Sequence, residues 1–171
     1  MKGRDVLFSK SSDEWETQQW LFDKLNKEFH FDCDAAANEY NSKCGEDWLQ
    51  NALEDDWMKF GYKKFYLNPP YGKIAAFMKK AYEESLKGAV VVCLIPVRSD
   101  TRYWHNYVMM AHEIRLIMGR LKFNNRTLPP WKSDGSHKLS SATFPSCVVI
   151  FDHSKYDKNN DPIFTTIKQP I

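Results

Sequence analysis

Ala89-Val90-Val91-Val92-Cys93-Leu94-Ile95-Pro96 is a run of seven apolar residues closed by a proline. It is too short for a buried helix and rich in β-branched side chains. It reads as a strand over 89–95 covered on both faces, the pattern of an interior strand in a parallel sheet. Upstream, Gly88 marks a helix stop, and Ile74, Phe77, Met78, Ala81, Tyr82 and Leu86 repeat at helical spacing. Before that helix comes Lys63-Lys64-Phe65-Tyr66-Leu67-Asn68-Pro69-Pro70-Tyr71-Gly72, a short apolar strand over 64–67 stopped by two prolines. Strand, helix and strand in this order form a parallel crossover unit.

The pattern continues in both directions. Downstream, a loop at Pro96-Val97-Arg98-Ser99-Asp100 leads into a helix predicted over 101–111, with Asp100 as its cap, and a strand over 113–118. Residues 119–145 show little periodicity, and a strand follows over 146–151. Upstream, Ser11, Ser12 and Asp13 offer an N-cap for a helix over 14–27, and a strand over 29–34 ends at Asp34-Ala35-Ala36-Ala37-Asn38. Residues 38–60 are irregular, with a short helix near 46–53. The fold class is therefore α/β, with a mostly parallel sheet flanked by helices. No crossover helix precedes the strand at 146–151, so that last strand is expected to be antiparallel. The length predicts one domain over 1–152, followed by a polar tail over 153–171.

Composition narrows the function classes. A hydrophobic share of 43% supports an ordinary core, and a 15% aromatic share allows stacking surfaces beyond it. The net charge of +2 permits a nucleic-acid partner without demanding one. The cysteines at 33, 44, 93 and 147 form no C-x-x-C pair, and the histidines have no ligand spacing with them, so neither a disulfide framework nor a metal site is predicted. No signal peptide or apolar run of spanning length is visible. The expectation is a soluble protein of a reducing compartment.

In a parallel sheet the loops at 34–38, 68–72 and 96–101 open on one edge, where ligands of open α/β sheets bind. Asn68 offers a side-chain carbonyl, and Pro69 a backbone carbonyl with no competing N–H. Two acceptors on a turn stiffened by Pro69 and Pro70 can hold both hydrogens of an exocyclic amine, and Tyr71 offers a flat face for a planar ring. The bland reading is a proline turn with an Asn cap. Likewise Asp34 reads as a helix cap or a ligand, and Trp15, Phe123 and Phe144 as core or as contacts.

Several segments resemble the phage-type DNA N6-adenine methyltransferases, the Dam-like family. They are Phe8-Ser9-Lys10 with Asp13-Glu14-Trp15-Glu16-Thr17, the Asp32-x-Asp34-Ala35-Ala36-Ala37 turn, Asn68-Pro69-Pro70-Tyr71, Ile95-Pro96-Val97-Arg98-Ser99-Asp100-Thr101, Gly119-Arg120-Leu121-Lys122-Phe123 and Phe144-Pro145-Ser146. The resemblance runs from about residue 7 to 152. It implies a Rossmann-like fold that binds S-adenosylmethionine and methylates N6 of adenine at a specific site in double-stranded DNA, in the cytoplasm of a bacterium or a phage-infected host. It also implies catalysis by Asn68, Pro69, Pro70 and Tyr71, and cofactor contacts from Trp15, Thr17, Asp34, Ala35, Ala36 and Asn68. The DNA-contact candidates are Tyr71, Arg98 and Asp100, with Lys122, Phe123, Asn124 and Arg126 from the long stretch at 119–145, a loop expected to order on DNA. The family segment reads Trp-x-Thr-Pro; here Gln18 stands in the proline position, which puts the local loop geometry and the grip on the cofactor in question. Asn-Pro-Pro-Tyr also occurs in methyltransferases of RNA and of protein glutamine. Those substrates, and a non-catalytic nucleic-acid-binding module, stand as alternatives.

Overall fold

A computed structural model describes residues 17–37, 42–45, 47–123 and 140–170 of the 171-residue chain. Its main sheet has six strands: β1 (Cys33–Asp34), β2 (Lys64–Leu67), β3 (Val90–Pro96), β4 (Glu113–Ile117), β7 (Ser146–Asp152) and β8 (Ile163–Ile167). A separate two-stranded ribbon joins β5 (Lys122–Phe123) to β6 (Ser140–Ser141). The described helices are α1 (Gln19–Phe29), α2 (Ile74–Leu86) and α3 (Arg102–Asn106), with single 3-10 turns at Trp57–Phe60, Tyr71–Lys73 and Val108–Met110.

The sheet order is β1-β2-β3-β7-β4-β8. β1, β2 and β3 pair in parallel, β7 runs antiparallel to both β3 and β4, and β8 runs parallel to β4. Every strand of the sheet except β7 therefore shares one direction. Successive side chains leave opposite faces of a strand, and the core divides accordingly. Phe65, Leu67, Val91, Cys93, Ile95 and Val149 face the layer of α2 and α3. Tyr66, Val92, Leu94, Val148 and Ile150 face the layer of α1, which inserts Leu21, Phe22 and Leu25. The apolar run at 89–95 is covered on both faces for this reason.

The parallel crossover at the centre stands as the sequence predicts, and the differences lie at its margins. Helix α1 reaches Phe29 and stops at His30, which takes a left-handed φ of 54° and donates its N–H to the Asn26 carbonyl. That extension shortens the first strand to two residues. The caps proposed at Ser11, Ser12 and Asp13 lie outside the described residues, and the N-cap position belongs to Gln18. The helix expected near 46–53 is absent. The Asn51 carbonyl closes one turn by accepting from the N–H groups of Glu54 and Asp55, while the Trp57 indole takes the Ala52 carbonyl at 2.6 Å. The helix expected over 101–111 breaks after Asn106, and its N-cap position is Thr101 instead of Asp100.

The strand at 146–151 is antiparallel as expected, but it is not the last one. The polar stretch after 152 supplies β8, parallel to β4 and buried only at Ile167. Backbone pairing with the edge of β4, not burial, makes it a strand. Among the described residues no helix is long and apolar enough to cross a membrane.

Candidate active site

The loops after β1, β2 and β3 all leave the sheet at the carboxyl ends of parallel strands. Asp34 sits at the end of β1, paired with Tyr66, and the Ala35 N–H continues the ladder to the Tyr66 carbonyl at 2.8 Å. The Asp34 side chain is only 4% exposed and accepts a hydrogen bond from the Lys43 backbone N–H at 3.0 Å. Burial lifts its carboxyl to about 6, against the opposing pull of those backbone donors. The chain turns through 35–36, and among the described residues no helix begins there for Asp34 to cap.

Ala35, Ala36 and Ala37 form one wall of a cleft of about 280 Å³. Pro70, Lys73 and Phe77 form another wall, and 49–54 complete it, bringing Asn51 and Glu54 as polar groups. The three alanines keep this wall low, because a methyl is all that rises from each.

Asn68 stands at the end of β2, two residues after Tyr66 and on the same face. Its Nδ2 donates to Thr17 Oγ1 at 3.2 Å, and Thr17 Oγ1 lies 2.5 Å from the Tyr66 hydroxyl. Asn68 Oδ1 is buried. Pro69 is buried behind it, and Pro70 leads into the 3-10 turn that opens α2. Tyr71 meets Phe144 edge-to-face, with ring centroids 5.3 Å apart, and its hydroxyl is buried. Burial pushes the Tyr71 phenol well above its ordinary range, so it stays neutral. The positive charge of Arg98, in the loop after β3, acts on both Tyr71 and Tyr103.

The predicted site residues thus fall into three neighbouring groups. Ala35 and Ala36 line the cleft with Pro70; Thr17 and Asn68 share a hydrogen-bonded cluster outside its lining; Tyr71 meets Phe144 at the end of the loop, within reach of the Arg98 charge. Asp100 is exposed in the turn before α3, and Lys122 is exposed on the ribbon. The strand end at 144–146 is tied to the loop after β3 by the Val97 N–H, which donates to the Pro145 carbonyl at 2.9 Å. Trp15, Asn124, Arg126 and the long loop at 124–139 lie outside the described residues, as does the Phe123 side chain.

Two features escape a reading from sequence. Tyr66 looks like a core residue in an apolar strand, and its hydroxyl partner lies 49 residues away. Gln18, in the family's proline position, has φ −59°, which lies within the range that a proline ring imposes. Its side chain accepts a hydrogen bond from the Trp20 indole at 3.0 Å. The backbone here keeps the conformation without the ring.

A family model described as DNA N-6-adenine-methyltransferase (Dam) matches residues 6–169. A protein of Escherichia phage T1, named DNA N-6-adenine-methyltransferase, is 32% identical over 105 residues, which make up 60% of this chain and 43% of the phage protein. The match thus spans less than half of that relative's length.

Proposed function

The chain belongs to the DNA N-6-adenine-methyltransferase (Dam) family, and from that premise we propose that it transfers a methyl group from S-adenosylmethionine to N6 of adenine, at a specific site in double-stranded DNA. The observation that carries the reading is the setting of Asn68. Its amide is held at Nδ2 by Thr17, and its buried Oδ1 stands at the carboxyl end of a parallel strand, next to Pro69.

The residues present fit the cofactor. The cleft of about 280 Å³ is close to the lower end of small-molecule sites, about 300 Å³, and its alanine wall admits a ligand close to the backbone. Ala35, Ala36 and Asp34 would hold S-adenosylmethionine from the β1 side, with Thr17 and Asn68 at the β2 side. The dominant single direction of the sheet, with all three loops at one edge, supports a Rossmann-like arrangement. When bound, the cofactor supplies an electrophilic methyl group on a sulfonium.

The adenine N6 lone pair is delocalised into the purine and nucleophilically weak. Asn68 Oδ1 and the Pro69 carbonyl would accept its two hydrogens. Those bonds strengthen as the nitrogen becomes pyramidal and positive, so they favour the transition state over the flat ground state. Held this way, the N6 lone pair would take the methyl group that the cofactor supplies, and the bonding electron pair would leave with the cofactor's sulfur. The methylated nitrogen then sheds one proton to solvent through these acceptors. Within a duplex N6 is shielded by the stack, so the base must be flipped, at a cost of a few kcal/mol. Stacking on Tyr71 offsets about 1–3 kcal/mol of it.

The test is incubation with labelled S-adenosylmethionine and double-stranded DNA, followed by nucleoside mass spectrometry. Label is expected in N6-methyladenine, and Asn68→Ala should lower the rate by about 10²–10³. Label in RNA or in a protein amide, with none in DNA, would overturn the reading.

A further inference from the structure

Tyr66 is the buried side chain of the site region whose polar atom has no part in the chemistry above. It lies on β2 with 1% of its surface exposed, and its ring is wedged between Phe22, at 5.2 Å and nearly perpendicular, and Phe31, at 5.4 Å. Phe22 comes from α1, so the helix and the strand together fix where the phenol oxygen sits. That oxygen is 2.5 Å from Thr17 Oγ1, and Thr17 Oγ1 accepts the Asn68 Nδ2–H at 3.2 Å. Thr17 itself is 3% exposed and directly precedes the N-cap of α1. The relay therefore runs from a locked aromatic ring, through a hydroxyl anchored at a helix start, to the amide at the head of the reactive loop.

An amide side chain has two chemically opposite ends of almost equal size. Rotation by half a turn would present Nδ2, a donor, where an amine needs an acceptor. A donor facing the –NH2 group repels it, so the rate depends on which end points outward. A hydroxyl beside Nδ2 enforces that choice once its own proton is committed: with Thr17 donating to the Tyr66 oxygen, Thr17 Oγ1 has only lone pairs left for Asn68 and takes Nδ2–H, not Oδ1. We propose that Tyr66 and Thr17 are positioning residues: their hydroxyl pair holds Asn68 Nδ2 and so commits Oδ1 to the substrate amine. This rests on the methyl-transfer reading for its consequence, but not for its geometry.

Tyr66→Phe removes one oxygen and keeps the ring against Phe22 and Phe31. Thr17→Val removes the hydroxyl at constant shape, and Thr17→Ser restores it. Two readouts separate the inference from the reading it rests on. The first is the side-chain amide signal of Asn68 in the ligand-free, ¹⁵N-asparagine-labelled protein, identified by its loss in Asn68→Ala. It is expected to move in Tyr66→Phe and Thr17→Val and to return in Thr17→Ser. The second is single-turnover methyl transfer beside calorimetric cofactor binding. Tyr66→Phe should slow transfer by about five- to ten-fold, the scale of one hydrogen bond, with affinity for S-adenosylmethionine held within about two-fold.

An Asn68 signal indifferent to both variants overturns the proposal. So does a moved signal with an unchanged rate, and so does a rate loss matched by an equal loss of cofactor affinity. If the parent protein methylates no DNA, the functional reading fails, and the Asn68 signal alone decides the orientation.

Discussion

Two residues carry predictions of their own. Asp34 is held with a carboxyl lifted from its ordinary 3.8 to about 6 by burial. The folded state keeps that proton more tightly than the unfolded chain does. Its contribution to stability is therefore full below about pH 4 and is lost as pH rises through about 6, leaving a buried carboxylate that destabilises by on the order of 2–3 kcal/mol at neutral pH. Asp34→Asn keeps an acceptor for the Lys43 N–H and removes the charge. By thermal denaturation it should raise Tm at pH 7.5 by about 5 °C or more, and the difference from the parent should vanish by pH 4. On the proposed function S-adenosylmethionine should raise the Tm of the parent, and Asp34→Asn should lose that increase, because a costly group kept at a ligand site marks function. An unchanged cofactor response would remove Asp34 from that site. Gln18 gives the opposite kind of test. Its φ already suits proline, so Gln18→Pro trades the bond to Trp20, about 1 kcal/mol, for reduced unfolded-state entropy of about 0.4–1 kcal/mol. Tm should stay within about 3 °C of the parent; a fall of about 3 kcal/mol, the cost of proline inside a helix, would show that the backbone does not tolerate the ring. At this scale the sequence is most legible where the chemistry is local: Asn68, Pro69, Pro70 and Tyr71 are consecutive, and their donors and acceptors can be counted from residue types. Tyr66 is opaque because its hydroxyl acquires meaning only from Thr17, across 49 positions.

Among elements, strands were legible in proportion to how much apolar surface they bury. β2 and β3 carry continuous apolar runs, and Val90 through Pro96 pair residue for residue with β7. β8 was not legible, since Ile163–Ile167 presents four exposed residues and owes its shape to the open edge of β4. The turn at 50–55 misleads for a related reason: Leu49 and Ala52 have helical spacing, but Trp57 captures the Ala52 carbonyl. What fixes α1 against this sheet is equally non-local. Arg115 on β4 reaches both carboxylate oxygens of Glu28 at 2.6 Å and bonds Glu113 at 2.9 Å, and Glu113 accepts from Thr165 on β8 at 2.8 Å. A planar, doubly bonded guanidinium is not replaced by an ammonium. Since Arg115 is 16% exposed and Glu28 47%, solvent screens part of the pair. Arg115→Lys should cost about 1 kcal/mol and Arg115→Met about 2, or about 4–8 °C in Tm. Because α1 carries Phe22 and follows Thr17, the Met variant should also broaden the Asn68 amide signal. A Tm within 1 °C of the parent for Arg115→Met would mean that packing alone holds the helix, as the scatter of measured ion-pair energies allows.

Over the whole molecule the charge is unevenly shared. Residues 120–139 hold Arg120, Lys122, Arg126, Lys132 and Lys138 against the single acid Asp134, whereas the entire chain has a net charge of +2. The remainder is therefore slightly acidic, and this segment carries the chain's excess of positive charge. That segment leaves and rejoins the body at the β5–β6 ribbon, where the Ala142 N–H donates to the Leu121 carbonyl at 2.7 Å, and the chain returns through Phe144 to touch Tyr71. A phosphate-binding segment rooted at that ribbon would set a duplex beside the Asn68-Pro69-Pro70-Tyr71 loop. Each phosphate neutralised by a basic side chain adds about −0.9 to the slope of log K against log salt concentration. Lys132→Gln with Lys138→Gln should therefore flatten that slope by about 2, if both side chains meet phosphates. Fluorescence-anisotropy titrations of a labelled duplex at several salt concentrations measure the slope directly. A slope identical to the parent's would show that neither lysine meets a phosphate.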